Sequence, residues 1–239
     1  MLNQIRSAVF TLILVLLVLV LGVVCLPVIL FGRKAAREVV RFWAKLTLGA
    51  LHLVAGVSSR VEGTEHFPLG GAIIACNHQS MWETVKLYAM CRKPVMILKK
   101  ELLSIPVYGW WARAAGNIPI DRKGGARALR AMMREAKSRI DQGEQIVIFP
   151  EGTRRPVGSR DDFQPGVAGV YAMVSAPCTP IAHDSGKHWL HPGIMKIPGV
   201  ITMRVLPPIP AGLPSKDFLA RVKHDIDRAR PDLEEAANG

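Results

Sequence analysis

The sequence predicts an α/β fold: a mixed sheet flanked by helices, preceded by an N-terminal membrane-anchoring helical segment. Three observations carry this expectation. Short apolar runs alternate with amphipathic stretches from about residue 57 onward. No charged residue occurs between Ser7 and Gly32. Arg33, Lys34, Arg37, Arg41 and Lys45 follow that stretch. Alternating strands and helices build layered α/β domains, and about 20 apolar residues reach across a bilayer core. The chain therefore divides into residues 1–56, an anchor with an interfacial helix, and residues 57–239, the domain that carries the chemistry.

The anchor is the most apolar part of the chain. Ala8 to Leu21 is almost wholly Leu, Val and Ile. A cleaved signal peptide has a shorter apolar region and a small-residue cleavage site. Here the run is longer and ends in Gly32-Arg33-Lys34, so a retained segment is expected. Only Arg6 precedes it and several cations follow. The positive-inside rule then places the bulk of the chain on the cytoplasmic face, which is the inner membrane if the cell is bacterial. Gly22 and Pro27 interrupt the run, so both a spanning and a re-entrant path are open. Residues 35–55 predict an amphipathic helix, with Val39, Phe42, Trp43, Leu46 and Ala50 on one face and Arg37, Arg41 and Lys45 on another. That pattern suits a membrane interface and equally a helix packed on the domain core.

The later elements follow from periodicity and punctuation. Ala72–Cys76 reads as a buried strand, followed by a loop and a helix through about Cys91. Val95–Leu98 is a second strand, Leu102–Ala114 helical despite Pro106, and Asn117–Ile120 short and extended. Gly125–Gln142 is a long basic helix that Gly143 stops. Gln145–Phe149 is a third strand, Val167–Ser175 a helix, and Ile201–Leu206 a late strand. Ser215–Arg230 is a charged helix with Ser215 as its expected N-cap, and residues 234–239 are expected to fray.

Bulk chemistry narrows the partners. The 239 residues carry 31 Lys and Arg against 19 Asp and Glu, a formal charge of +12. Such a chain seeks anionic partners. No zinc-finger spacing, helix-turn-helix or RNA-binding aromatic pattern is present, so no nucleic acid is expected, and the apolar N-terminus points to membrane lipids. The four cysteines, Cys25, Cys76, Cys91 and Cys178, are scattered. That excludes a disulfide framework or a Cys-x-x-Cys zinc site, and Cys76 reads as a core thiol.

Two segments carry chemistry. The loop after the first strand reads Asn77-His78-Gln79-Ser80-Met81-Trp82-Glu83. Within one helix, residues five apart diverge by about 140°, so His78 and Glu83 meet only if His78 lies in the loop and Glu83 in the first helical turn. Ser80-x-x-Glu83 is a capping box; it supports that placement and also offers a purely structural role for Glu83. A histidine is the natural base near neutral pH, and a carboxylate on its far nitrogen would fix the tautomer. The third strand runs into Phe149-Pro150-Glu151-Gly152-Thr153-Arg154-Arg155. Backbone N–H groups, a hydroxyl and a guanidinium there can converge on phosphate. Between the two lies Gly116-Asn117-Ile118-Pro119-Ile120-Asp121-Arg122, where Arg122 offers a second phosphate contact or a solvated charge.

In order and spacing, these three segments resemble the glycerolipid acyltransferases typified by 1-acyl-sn-glycerol-3-phosphate acyltransferases. That family's motifs are Asn-His, four residues, Asp, and later Phe-Pro-Glu-Gly-Thr-Arg. Thr179-Pro180-Ile181 is similar to a looser fourth block, and the resemblance covers roughly residues 60–210. It implies His78 and Glu83 as catalytic residues, with Glu83 in the aspartate's place. It implies Arg122, Glu151, Gly152, Thr153 and Arg154 as acceptor-binding. It also implies a lysophospholipid acceptor and acyl-CoA or acyl-carrier protein as donor substrate, with no further cofactor. Two departures stand out: Glu83 is one methylene longer than aspartate, and Gln164 stands where such enzymes often carry lysine. They keep open other acceptors, such as lyso-ornithine lipid or glycerol-3-phosphate; a catalytically idle membrane-binding module is the remaining alternative.

Other features are assigned no chemistry. His183, Asp184, His188 and His191 lack a helical His-x-x-x-His spacing, so no metal site is expected. There is no P-loop, Gly-x-Gly-x-x-Gly or Gly-x-Ser-x-Gly. Trp110, Trp111 and Arg113 read as core and interface residues.

Overall fold

The computed structural model describes residues 1–233, the side chain of Arg122 excepted; positions 234–239, expected to fray, lie outside the described residues. The chain begins with helix α1 (Leu2–Val24), a 3-10 turn (Leu26–Phe31) and helix α2 (Gly32–Ala55). Strands β1 (Val57–Glu62), β2 (Ala72–Cys76), β3 (Pro94–Lys99), β4 (Ile118–Ile120), β5 (Gln145–Ile148), β6 (Cys178–His183) and β7 (Gly199–Val205) form one sheet. Helices α3 (Trp82–Met90), α4 (Tyr108–Ala114), α5 (Gly125–Asp141), α6 (Gly166–Val174) and α7 (Ser215–Ala229) complete the domain.

The sheet order is β1-β7-β6-β2-β5-β3-β4. Among the strands described, only the β6–β7 pairing is antiparallel, so the sheet is mixed. The central strands are buried on both faces, as covered parallel strands are. Their residues alternate between two cores. Ile73 and Ala75 of β2 join Ile146 and Ile148 of β5 against α5, α6 and α7, through Met132, Val170, Phe218 and Val222. Ile74, Cys76, Val147 and Ile181 turn the other way, onto α1, α2 and α3, through Phe10, Leu14, Leu51 and Trp82. Phe218 is fully buried with its ring stacked 3.7 Å from Tyr171, and truncating it to alanine would cost roughly 3–5 kcal/mol.

Several expectations are refined. The stretch Leu102–Ala114 is two pieces, a 3-10 turn at Lys100–Ser104 and α4 from Tyr108, because Pro106 and the positive φ of Val107 break it. Ser215 is the first residue of α7, with Pro214 at the cap position and no side-chain cap bond. Helix α2 packs on the domain, so Arg37, placed by the pattern on an outer basic face, is buried. It donates to Glu144 Oε1 at 2.8 Å and to the Ala115 carbonyl at 2.9 Å. Phe42 and Leu53 of α2 remain exposed.

Helix α1 is long and apolar enough to cross a membrane. It lies lengthwise against the domain. Near its start Ser7 Oγ accepts from the Lys196 N–H at 2.8 Å. Near its end the Gly22 carbonyl accepts from Trp111 Nε1 at 2.9 Å. A Cβ at Gly22 would meet the Val107 side chain at 2.2 Å, so only glycine allows this close approach.

Candidate active site

The neighbouring parallel strands β6, β2 and β5 release their chains at the same edge of the sheet. Open α/β sheets gather their ligands at the carboxyl ends of strands. Here β2 delivers the loop Asn77–Met81, β5 delivers Phe149–Arg155, and β6 delivers Asp184 and Ser185. Cross-bonds join them: the Arg155 N–H donates to the His78 carbonyl at 2.8 Å, and Arg154 Nε donates to the Ser80 carbonyl at 3.0 Å.

Within this junction His78 Nδ1 stands 2.7 Å from Glu83 Oε1. His78 lies in the loop and Glu83 in the first turn of α3, the placement their spacing requires. The same Oε1 accepts the N–H groups of Gln79 and Ser80, each at 2.9 Å. Oε2 accepts the hydroxyls of Ser80 and Ser185, each at 2.8 Å. Glu83 thus caps the helix and meets the histidine with one oxygen. The longer side chain fits because Ser185 reaches in from β6. Burial pushes the Glu83 pKa up, but His78 bonded to it and the Ser80 N–H hold it well below the usual carboxylate range.

An ionised Glu83 makes Nδ1 of His78 the protonated nitrogen, which leaves Nε2 a lone pair. The imidazole stacks on Phe149, ring centroids 4.1 Å apart, and its side chain is 14% exposed, so it is open to solvent. His183 is wholly buried. Its Nε2 faces the Asn77 carbonyl at 2.7 Å and its Nδ1 accepts the Ser185 N–H at 3.2 Å, so it is neutral with the proton on Nε2. Burial lowers its pKa, in keeping with that form.

Glu151 turns inward. Its Oε1 accepts the His78 N–H at 3.2 Å, and its Oε2 has no partner among the described residues. Burial raises its pKa to about 7. Gly152 adopts a positive φ of 72°, which glycine permits, and its N–H closes the turn on the Phe149 carbonyl at 2.9 Å. Thr153 is exposed and Arg154 half-buried. Among the described residues no carboxylate lies within ion-pair distance of Arg154. Arg122 opens the 3-10 turn after β4, but its side chain lies outside the described residues. Gln164 is exposed, its N–H bonded to the Pro150 carbonyl at 2.8 Å.

The residues of the C-terminal segment escape the sequence reading. Asp232 Oδ2 accepts from Gln79 Nε2 at 3.0 Å, from the Gly158 N–H at 2.9 Å and from Arg230 at 2.6 Å. Arg230 also donates to the Ser159 carbonyl at 2.6 Å, and Gln79 Oε1 accepts the Gly186 N–H at 3.0 Å. A buried ion pair thereby ties all three loops together. Only Glu83 carries a local pattern pointing inward; Ser185, His183 and Asp232 carry none. The residues considered for metal bind elsewhere: Asp184 accepts the Thr202 N–H and His188 faces the Ile197 carbonyl. Among the described residues no group of three or more His, Cys, Asp or Glu is arranged to hold a metal ion.

An apolar cleft opens between α1, α2 and α4, lined by Leu17, Val18, Val40, Trp43, Tyr108 and Trp111.

Comparison with known proteins gives the family. Residues 58–184 match the family model described as Acyltransferase. Over 181 residues the chain is 34% identical to the 1-acyl-sn-glycerol-3-phosphate acyltransferase of Pseudomonas aeruginosa, an alignment covering 76% of this chain and 70% of that one. It is 32% identical over 190 residues to the human 1-acyl-sn-glycerol-3-phosphate acyltransferase alpha, covering 76% and 67%. The crystal structure of the 1-acyl-sn-glycerophosphate acyltransferase of Thermotoga maritima shares the fold, with a TM-score of 0.79 at 21% identity over 97% of both chains. The chain belongs to the acyltransferase family, a family of enzymes, and the two curated relatives named above are 1-acyl-sn-glycerol-3-phosphate acyltransferases.

Proposed function

We propose that the protein moves a fatty acyl group from a thioester to the free hydroxyl of 1-acyl-sn-glycerol-3-phosphate, giving phosphatidic acid for phospholipid biosynthesis. The carrying observation is His78 held at 2.7 Å by a buried Glu83, at the mouth formed by β2 and β5. Nε2 of His78 takes the hydroxyl proton as the oxygen attacks the thioester carbonyl. The tetrahedral intermediate expels the thiolate, which takes the proton back from the imidazolium. An ester and a free thiol result, with no covalent acyl-enzyme. A positioned base supplies roughly 10²–10⁴ in rate.

Arg154 and Arg122, with Gly152 and Thr153, bind the acceptor's phosphate. Glu151 belongs to the same segment and, through its bond to the His78 N–H, holds the base in place. The donor is acyl-CoA or acyl-carrier protein, its chain lying in the apolar cleft, and no further cofactor or metal takes part. Residues 1–56 are the anchor and 57–239 the catalytic domain. Helix α1, about 35 Å long at 1.5 Å per residue, touches the domain at Ser7 and at Gly22. That favours a helix lying in the leaflet beside a cytoplasmic domain over one crossing away from it.

The test is acyl transfer by purified protein to lysophosphatidate, glycerol-3-phosphate and lyso-ornithine lipid, each with acyl-CoA and acyl-carrier protein. Lysophosphatidate should be acylated with the highest kcat/KM. Preference for a phosphate-free acceptor would replace the proposal with the reading that the missing cation at Gln164 favours. No turnover with any pair would leave a membrane-binding module.

A further inference from the structure

Beyond Ser185 the chain forms a hairpin before entering β7. The bridge between Trp189 and Lys196 closes it, and Leu190 N–H bonds to the Met195 carbonyl at 3.1 Å. Its base belongs to the active site: Ser185 holds Glu83, and Gly186 holds Gln79.

One side of the hairpin grips α1. Lys196 N–H donates to Ser7 Oγ at 2.8 Å. The Phe10 and Trp189 rings meet edge to face at 5.2 Å. Lys196 Nζ lies 5.1 Å from the Phe10 ring centroid and 4.6 Å from that of Trp189. The other side is apolar and uncovered: Ile194 is 55% and Ile197 41% exposed, and Val200 at the start of β7 is 52% exposed. The same turns of α1 that grip the hairpin present Ile5, Val9 and Leu12 outward, also exposed. Single exposed apolar residues are ordinary, whereas a contiguous apolar surface marks a partner. Here the exposed apolar residues of the hairpin stand beside those of the α1 turns it grips, and no Lys, Arg, Asp or Glu lies between Trp189 and Met195.

We propose that the hairpin Leu190–Ile197 is a second membrane-inserting element, seated in the lipid beside α1 at the rim of the active site. The bilayer then touches the protein at the hairpin as well as at the anchor. A lipid acceptor passes from the bilayer to His78 along the hairpin without crossing water. The proposal rests on the reading that α1 lies in lipid.

The experiment uses the full chain in a Cys25→Ser background, since Cys76, Cys91 and Cys178 are buried. One protein carries Ile194→Cys and a second Leu16→Cys, each labelled with an environment-sensitive fluorophore. Each is reconstituted into phosphatidylcholine–phosphatidylglycerol vesicles with or without a nitroxide on the acyl chain. Both labels should be quenched by the nitroxide. Quenching at Leu16 but not at Ile194 overturns the hairpin proposal and leaves the anchor standing. Quenching at neither overturns the anchor reading and the hairpin with it. A blue shift at Ile194 without vesicles that grows with protein concentration assigns the face to a second copy of the chain and overturns the proposal. As a second measurement, Ile194→Asp with Ile197→Asp should lower kcat/KM tenfold or more for long-chain lysophosphatidate in vesicles, and leave a short-chain, water-soluble acceptor unaffected. An equal loss on both acceptors counts against lipid insertion.

Discussion

Glu83 Oε1 accepts His78 Nδ1 at 2.7 Å together with the Gln79 and Ser80 N–H groups at 2.9 Å. One oxygen therefore ties down the loop that leads into helix α3 and orients the imidazole. His78→Ala should lower kcat by at least roughly 10² while the protein stays folded, because a general base is lost. Glu83→Gln keeps an oxygen for the backbone donors but removes the charge that stabilises the imidazolium, so kcat should also fall by roughly 10² or more. Glu83→Asp withdraws the carboxylate by about one C–C bond, 1.5 Å. It should impair turnover even though aspartate is the family's residue. Steady-state kinetics decide; a Glu83→Gln enzyme with near-normal kcat would leave the carboxylate a helix cap alone.

Arg154 spends Nε on the Ser80 carbonyl at 3.0 Å, which aims the rest of its fork past the loop. A charge-assisted contact is worth about 1.5–3 kcal/mol. Arg154→Ala should therefore raise the acceptor KM roughly tenfold or more, with a smaller change for the donor. Arg154→Lys should recover only part, since a point charge cannot hold both the Ser80 carbonyl and a phosphate. Equal effects on both KM values would refute phosphate recognition.

Glu151 yields a pH dependence of stability. Its folded pKa, about 7, lies above the ordinary value of 4.5 because it is buried. Between those values the folded state binds more protons than the unfolded one, so stability falls as pH rises from about 4.5 to about 7. A shift of this size is worth about 3 kcal/mol. Glu151→Gln, which cannot ionise, should flatten that slope and be relatively more stable at pH 8 than at pH 5. Thermal unfolding of both proteins across this range measures the difference; parallel curves would mean that Glu151 is charged throughout.

Asp232 and Arg230 are both 4% exposed, and removing one partner of a buried pair costs about 3–5 kcal/mol. Asp232→Ala should lower Tm and, below the new Tm, reduce kcat more than it changes KM, because Gln79 loses an anchor beside the base. Gln79→Ala should reproduce the kcat effect with a smaller loss of Tm. An Asp232→Ala protein with lower Tm and unchanged kcat would mean the clamp serves the fold alone.

Much of this was legible in the sequence wherever local pattern and tertiary role coincide. The buried strands β2 and β5, the helix α5 ending before Gly143, and the loop position of His78 all follow from periodicity and punctuation. Strands β1 and β6 did not emerge. β1 is a polar edge strand, Val-Ser-Ser-Arg-Val-Glu, with little apolar alternation. β6 contains Pro180, and proline argues against a central strand. It is tolerated because the Pro177 and Ile181 carbonyls bond toward β2, which turns the proline nitrogen to the other side, where the β7 ladder begins only at Ile181. Ser185 and Asp232 were invisible for a different reason. They reach the site from 102 and 153 positions away, and no short motif encodes such a meeting.

That long reach orders events in time. A ribosome makes helix α1 first and Asp232 more than two hundred residues later. Throughout that interval Gln79 has no carboxylate to bond, and the loop after Arg155 lacks the arginine that holds Ser159. The clamp on Gln79 and Ser159 therefore cannot close until the rest of the site has been made.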